Sequence, residues 1–206
     1  MSENQALDQL EQNARSLKKG LNAFLKDVSD YKKEQKTRTS SNSNAVELQG
    51  ADLGSPKKNA IDAFIGRVKA VTDDYITLLS GYMTIFNQHE VDSATYKQEL
   101  KSNSDVAKTP ELVQLQQKRA NYEADSEALV IGHRGLTAAH RDIEYVVNQI
   151  CRTLPKDYDN PVKRVNLKRP PIAPKVPKVP SWGVRYTKQM SNTAIQVALA
   201  KMFHSS

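Results

Sequence analysis

The chain has 206 residues, of which 38% are hydrophobic and 26% charged, with a net charge of +7 and one cysteine. That apolar content is low for a compact globule and ordinary for long helices with a large solvated surface. The lone Cys151 excludes an intramolecular disulfide, a cysteine-based zinc site and a CxxC redox pair. No apolar run approaches the roughly 18–20 residues that cross a bilayer.

The charge is unevenly placed. Residues 1–151 hold 19 Lys+Arg against 21 Asp+Glu, whereas residues 152–206 hold 11 against 2, so the nets are −2 and +9. Seven of the nine prolines lie between Pro155 and Pro180. The chain changes character near Leu154, from a nearly neutral body to a basic arm suited to an anionic partner. The N-terminus lacks the basic region and apolar run of a secretory signal. A cytoplasmic or virion-interior location is therefore expected.

Leu7, Leu10, Ala14, Leu17, Leu21, Phe24, Val28 and Tyr31 alternate in steps of three and four. Four heptads of this kind predict a coiled-coil helix over about 4–35. Residues 37–57 have no period and are rich in Ser and Asn, which predicts a long surface loop. From Asn59 to about residue 90 comes the strongest stripe. Its a and d positions read Ile61, Phe64, Val68, Val71, Tyr75, Leu78, Tyr82 and Ile85, and Ile65, Leu79 and Phe86 widen it at e. A stripe broader than a and d is what a helix with two neighbours shows, so this is the expected central helix.

Val91–Lys108 is polar, with a short helix expected at 93–100. Thr109-Pro110-Glu111 then signals a helix start, and a third helix is predicted over 110–152. Its d file is apolar throughout, whereas its a file mixes Leu112, Arg119, Ser126, His133, His140 and Val147. His133 and His140 are two helical turns apart, about 10 Å along the axis, too far to share a metal ion. They read as a polar layer that sets helix register. Gly132 and Gly135 beside His133 point to a local bend or a close helix crossing.

The expected fold is all-α: an elongated three-helix bundle or coiled coil over 1–153, then a long extended basic Pro-rich C-terminal arm over 154–206. The arm ends in a short terminal helix at 187–203. Within it the tandem Pro-Lys-Val of 174–179 suits polyproline II, which has three residues per turn. That period puts Lys175 and Lys178 on one edge and Val176 and Val179 on another.

Phosphate cradles, HExxH and nucleophile-elbow patterns are absent. Catalysis is not expected, nor is a metal or other cofactor. The candidate partner-binding residues lie in the arm. Lys163, Arg164, Lys168, Arg169, Lys175, Lys178 and Arg185 supply charge, and Trp182 and Tyr186 supply stacking surface. Val176, Val179, Ile195, Leu199 and Phe203 supply an apolar side. Charges along an extended backbone can track phosphates, yet a pure phosphate-binding tail needs neither the tryptophan nor the apolar helix. The leading expectation is a structural or adaptor protein that self-associates and docks on a neighbouring subunit of a larger assembly, such as a virion, secretion machine or cytoskeletal complex. Its partner is then a protein, with the chain itself a homo-oligomer. A binder of nucleic acid, or less readily of an anionic membrane, is the alternative. No motif fixes a family.

Overall fold

A computed structural model describes residues 5–41, 55–102, 110–173 and 188–203. They form four α-helices, α1 (Gln5–Ser41), α2 (Pro56–Ser102), α3 (Pro110–Thr153) and α4 (Lys188–Phe203), with one 3-10 turn at Pro161–Arg164. No strand occurs among the described residues. The fold is all-helical, and its helices are packed.

Two helices run further than their apolar stripes predict. α1 continues to Ser41 because Lys32-Lys-Glu-Gln-Lys are all strong helix formers; within this extension the Thr37 hydroxyl donates to the Lys33 carbonyl at 3.0 Å. The predicted loop of 37–57 is shortened from both ends, and residues 42–54 lie outside the described set. α2 continues unbroken to Ser102 where a polar stretch with a separate short helix was expected. Beyond Phe86 its buried face is polar, with His89 1% and Ser93 8% exposed. Hydropathy does not flag such a face, because its burial depends on partners from another helix.

The chain divides into two compact units. One comprises Gln12–Asp74 and Ala139–Leu167. Its core is built from Leu17, Leu21 and Phe24 of α1, Ile61, Phe64 and Val68 of α2, and Ile143, Val146 and Ile150 of α3, none more than 5% exposed. Phe24 and Phe64 stack at 4.8 Å between centroids. Lys57 reaches Asp27 at 2.7 Å, so here α1 and α2 run antiparallel. Lys18 meets Asp142 at 2.9 Å and Lys32 donates to the Thr153 carbonyl at 2.6 Å, so α1 and α3 run parallel. The second of these bonds satisfies a carbonyl that the end of α3 leaves open. Thr72 is buried at no cost in unmet polarity, since its hydroxyl donates to the Val68 carbonyl at 2.7 Å.

The other unit comprises Met1–Glu11, Tyr75–Ala138 and Lys168–Ser206. Leu10, Tyr75, Tyr82, Leu129, Leu136 and Leu199 are at most 2% exposed. α4 is part of this core, with Ile195, Ala198, Leu199, Met202 and Phe203 all buried. Glycine makes the close approach of α4 feasible. A Cβ on Gly81 would overlap the Met202 carbonyl oxygen, and one on Gly132 would stand 3.2–3.5 Å from Tyr82, Phe203 and Met202. The Gly132 neighbourhood is thus a close helix crossing. Between α2 and α3 of this unit lies a polar layer. His89 stacks on Tyr122 at 4.3 Å, its Nε2 lies 2.6 Å from the Ser126 hydroxyl, and the Tyr122 hydroxyl donates to Ser93 at 2.9 Å.

Candidate functional site

The basic segment after α3 is held by its backbone. α3 ends at Thr153, where Leu154 N–H still bonds to the Ile150 carbonyl at 3.1 Å and Pro155 cannot prolong the ladder. Asn160 then caps the 3-10 turn, its side-chain oxygen accepting from Val162 N–H at 3.1 Å, and Val162 is fully buried. In the first-described unit His140 Nε2–H donates to the Leu167 carbonyl at 3.2 Å. In the other unit the Tyr75 hydroxyl donates to the Lys168 carbonyl at 2.6 Å, and the Tyr82 hydroxyl to the Pro171 carbonyl at 2.8 Å. Burial pushes the Tyr82 phenol up to about 12, so it remains a donor at any ordinary pH.

Fixing the carbonyls inward leaves side chains outward. Lys163, Lys168 and Arg169 are exposed, Pro170 is buried, and Ile172 is 80% exposed. Arg164 lies in the 3-10 turn. Lys168, Arg169 and Ile172, which belong to one unit, give it a basic edge with an apolar knob that can meet an acidic, partly apolar protein surface or phosphates.

The remaining expected site residues fall into two groups. Lys175, Val176, Lys178, Val179, Trp182, Arg185 and Tyr186 lie outside the described residues. Ile195, Leu199 and Phe203 are 7%, 0% and 7% exposed, so the apolar side of the terminal helix is covered by this chain itself. Cys151 is exposed.

A second feature was not visible as a motif. In the unit of Gln12–Asp74 and Ala139–Leu167, a cleft of about 760 Å³ opens beside Tyr31, Lys36, Ile65, Pro155 and Tyr158. The Tyr158 hydroxyl donates to Asp62 at 2.6 Å, Lys58 donates to the other Asp62 oxygen at 2.9 Å, and the rings of Tyr31 and Tyr158 meet edge-on at 5.9 Å. Burial alone would raise the Asp62 carboxyl; the bonds from Tyr158 and Lys58, with the Lys58 charge, outweigh it and hold the group below its usual range. Burial and the Asp62 bond push the Tyr158 phenol upward. The only sequence signal for this wall was the Pro-flanked tyrosine just past a helix end.

The His89–Ser126 contact has the residue types of a nucleophile and its base. Ser126 is 0% exposed, and its hydroxyl donates to the Tyr122 carbonyl at 2.8 Å, so no substrate reaches it in this conformation. Among the described residues no three His, Cys, Asp or Glu side chains gather as a metal site requires, and no helix is long and apolar enough to cross a membrane. No protein family, curated protein or solved structure matches the chain.

Proposed function

We propose that the chain is a non-enzymatic helical scaffold or adaptor that self-associates and docks, through the basic segment following α3, on a neighbouring subunit of a larger assembly. In this reading the three long helices form one three-helix bundle, and the basic Pro-rich arm begins at residue 154. The observation that carries the proposal is the anchoring of Lys168 and Pro171 by Tyr75 and Tyr82. A backbone held on packed helices presents Lys168, Arg169 and Ile172 without the ordering cost that a loose tail would meet on binding.

The test uses the full chain carrying Lys163→Glu, Lys168→Glu and Arg169→Glu. Capture of the neighbouring subunit should fall at least tenfold with helix content unchanged. Sedimentation of the unaltered chain should show a mass above the monomer at micromolar concentration. A strictly monomeric chain whose capture ignores the three reversals sinks the proposal.

The exposed Lys163, Lys168 and Arg169 also support a second reading, binding of nucleic acid. Three phosphate contacts would lower affinity about 40-fold between 50 and 200 mM salt. An oligonucleotide titration at both salts, on the native chain and the triple reversal, separates the two readings.

A further inference from the structure

The polar layer where α2 meets α3 beyond Phe86 is built for a neutral histidine. The Ser126 hydroxyl has one proton and gives it to the Tyr122 carbonyl at 2.8 Å. The same oxygen lies 2.6 Å from His89 Nε2, so toward the ring it accepts, and the ring proton sits on Nε2. Nδ1 keeps a bare lone pair, buried and with no hydrogen-bond partner among the described residues. The residue is 1% exposed and its ring stacks on Tyr122 at 4.3 Å. A second proton would put an N–H and a positive charge where no acceptor stands, which costs far more than a bare lone pair does.

This layer is also the least supported part of its unit. Beyond it every side chain described is exposed: Ala94, Thr95 and Gln98 on α2, Lys118 and Asn121 on α3. On its other side the packing is apolar and closed, with Tyr82, Leu129, Leu199 and Met202 at most 1% exposed. Local opening is easiest where buried apolar contacts are few. The two helices can therefore part at this layer while the core covered by α4 stays shut.

We infer that the His89 layer is an acid-released latch, in which a second proton expels the ring and parts α2 from α3 beyond Phe86. Outside the layer the imidazolium meets Asp92 and Glu90, both exposed and on its own helix. Tyr122 faces the ring from α3; Asp125 of α3 acts on Asp92, and Lys201 of α4 acts on Asp125. Burial holds the ring's pKa below its ordinary 6.5, so the closed layer loses ground as pH falls through that value. Burial raises the Asp125 carboxyl, so acid relieves a cost of the closed state there. The two groups act with opposite sign, and only His89 opens the layer on acidification.

Hydrogen exchange of the full chain is followed by mass spectrometry at pH 7.5 and 5.5, with each rate divided by the intrinsic rate at that pH. Peptides covering 86–95 and 118–128 should lose protection several-fold, with a ceiling of about tenfold for one proton and an open-state pKa of 6.5. Peptides covering 129–138 should keep theirs. His89→Gln cannot take the proton and should show the same protection at both pH values. Asp92→Asn changes an exposed side chain and should move the loss of protection to lower pH, which keeps the test decisive should His89→Gln fail to fold.

An even loss of protection along the unit marks global unfolding and overturns the latch. So does protection that ignores pH in the native chain, or an equal loss in His89→Gln. Protection that rises with acid at 118–128 gives control to Asp125 and overturns it as well.

Discussion

The Tyr82 phenol donates to the carbonyl oxygen of Pro171, 89 residues further along the chain, at 2.8 Å. Tyr82 is 0% exposed overall, so the hydroxyl depends on this acceptor. Tyr82→Phe should cost about 1 kcal/mol, or a melting temperature roughly 2–4 °C lower. Limited proteolysis should also cut sooner near Pro171. Urea denaturation of Tyr82→Phe and Tyr75→Phe checks both, and an unchanged midpoint would mean that the two bonds hold nothing in place.

Glycine substitutions should act in opposite directions. At Gly81 a methyl group overlaps the Met202 backbone, which a side-chain rotation cannot relieve, so Gly81→Ala should destabilise by about 1–3 kcal/mol. At Gly66 nothing lies within 4 Å, and Gly66→Ala should stabilise by up to about 1 kcal/mol through helix propensity. Thermal melts of both variants decide it. Equal shifts would contradict the close contact at Gly81.

His89 should make stability depend on pH. Burial lowers its pKa, opposed in part by a backbone bond to Tyr122 and by the Asp92 and Glu90 charges, and its buried Nδ1 has no hydrogen-bond partner among the described residues. With the folded pKa below the ordinary 6.5, the unfolded chain takes up the proton first. The stabilisation is complete above about pH 6.5 and is lost as pH falls from there toward the folded pKa. Asp125, raised by burial, shifts stability in the opposite sense, so urea midpoints between pH 8 and 5.5 are compared between the native chain and a His89 variant. His89→Gln should flatten the slope in that range, and a slope equal to that of the native chain would exonerate His89.

Removing the terminal helix should not be a neutral operation. Leu199→Ala deletes side-chain volume at a fully buried position and should cost about 2–5 kcal/mol. Truncation after Arg152 should reduce cooperativity and expose Tyr75 and Tyr82 as well as removing positive charge. Circular dichroism melts of the truncated chain check this. For that reason charge reversal, rather than truncation, is the informative test of the basic segment.

The long helices were legible because burying one face repeats every 3.6 residues, and Leu7 to Val28 and Ile61 to Tyr82 keep that beat with almost no interruption. Pro110 and Pro155 bounded α3 for an equally local reason, the missing N–H. The continuation of α2 past Phe86 was not legible, because His89 and Ser93 are buried only by virtue of Ser126 and Tyr122 on another helix.

The functional residues divide along the same line. Composition alone placed the positive charge and the prolines beyond Leu154, since charge and backbone restriction are properties of each residue. Tertiary structure alone decided that Ile195, Leu199 and Phe203 are core rather than surface, and that Tyr75 and Tyr82 hold the backbone of the basic segment. It alone brought Tyr31, Asp62 and Tyr158 to one cleft. A heptad states that a face will be covered and a buried phenol states that an acceptor is needed; which segment meets either need is a matter of distance in space, and distance is set only when the chain has packed.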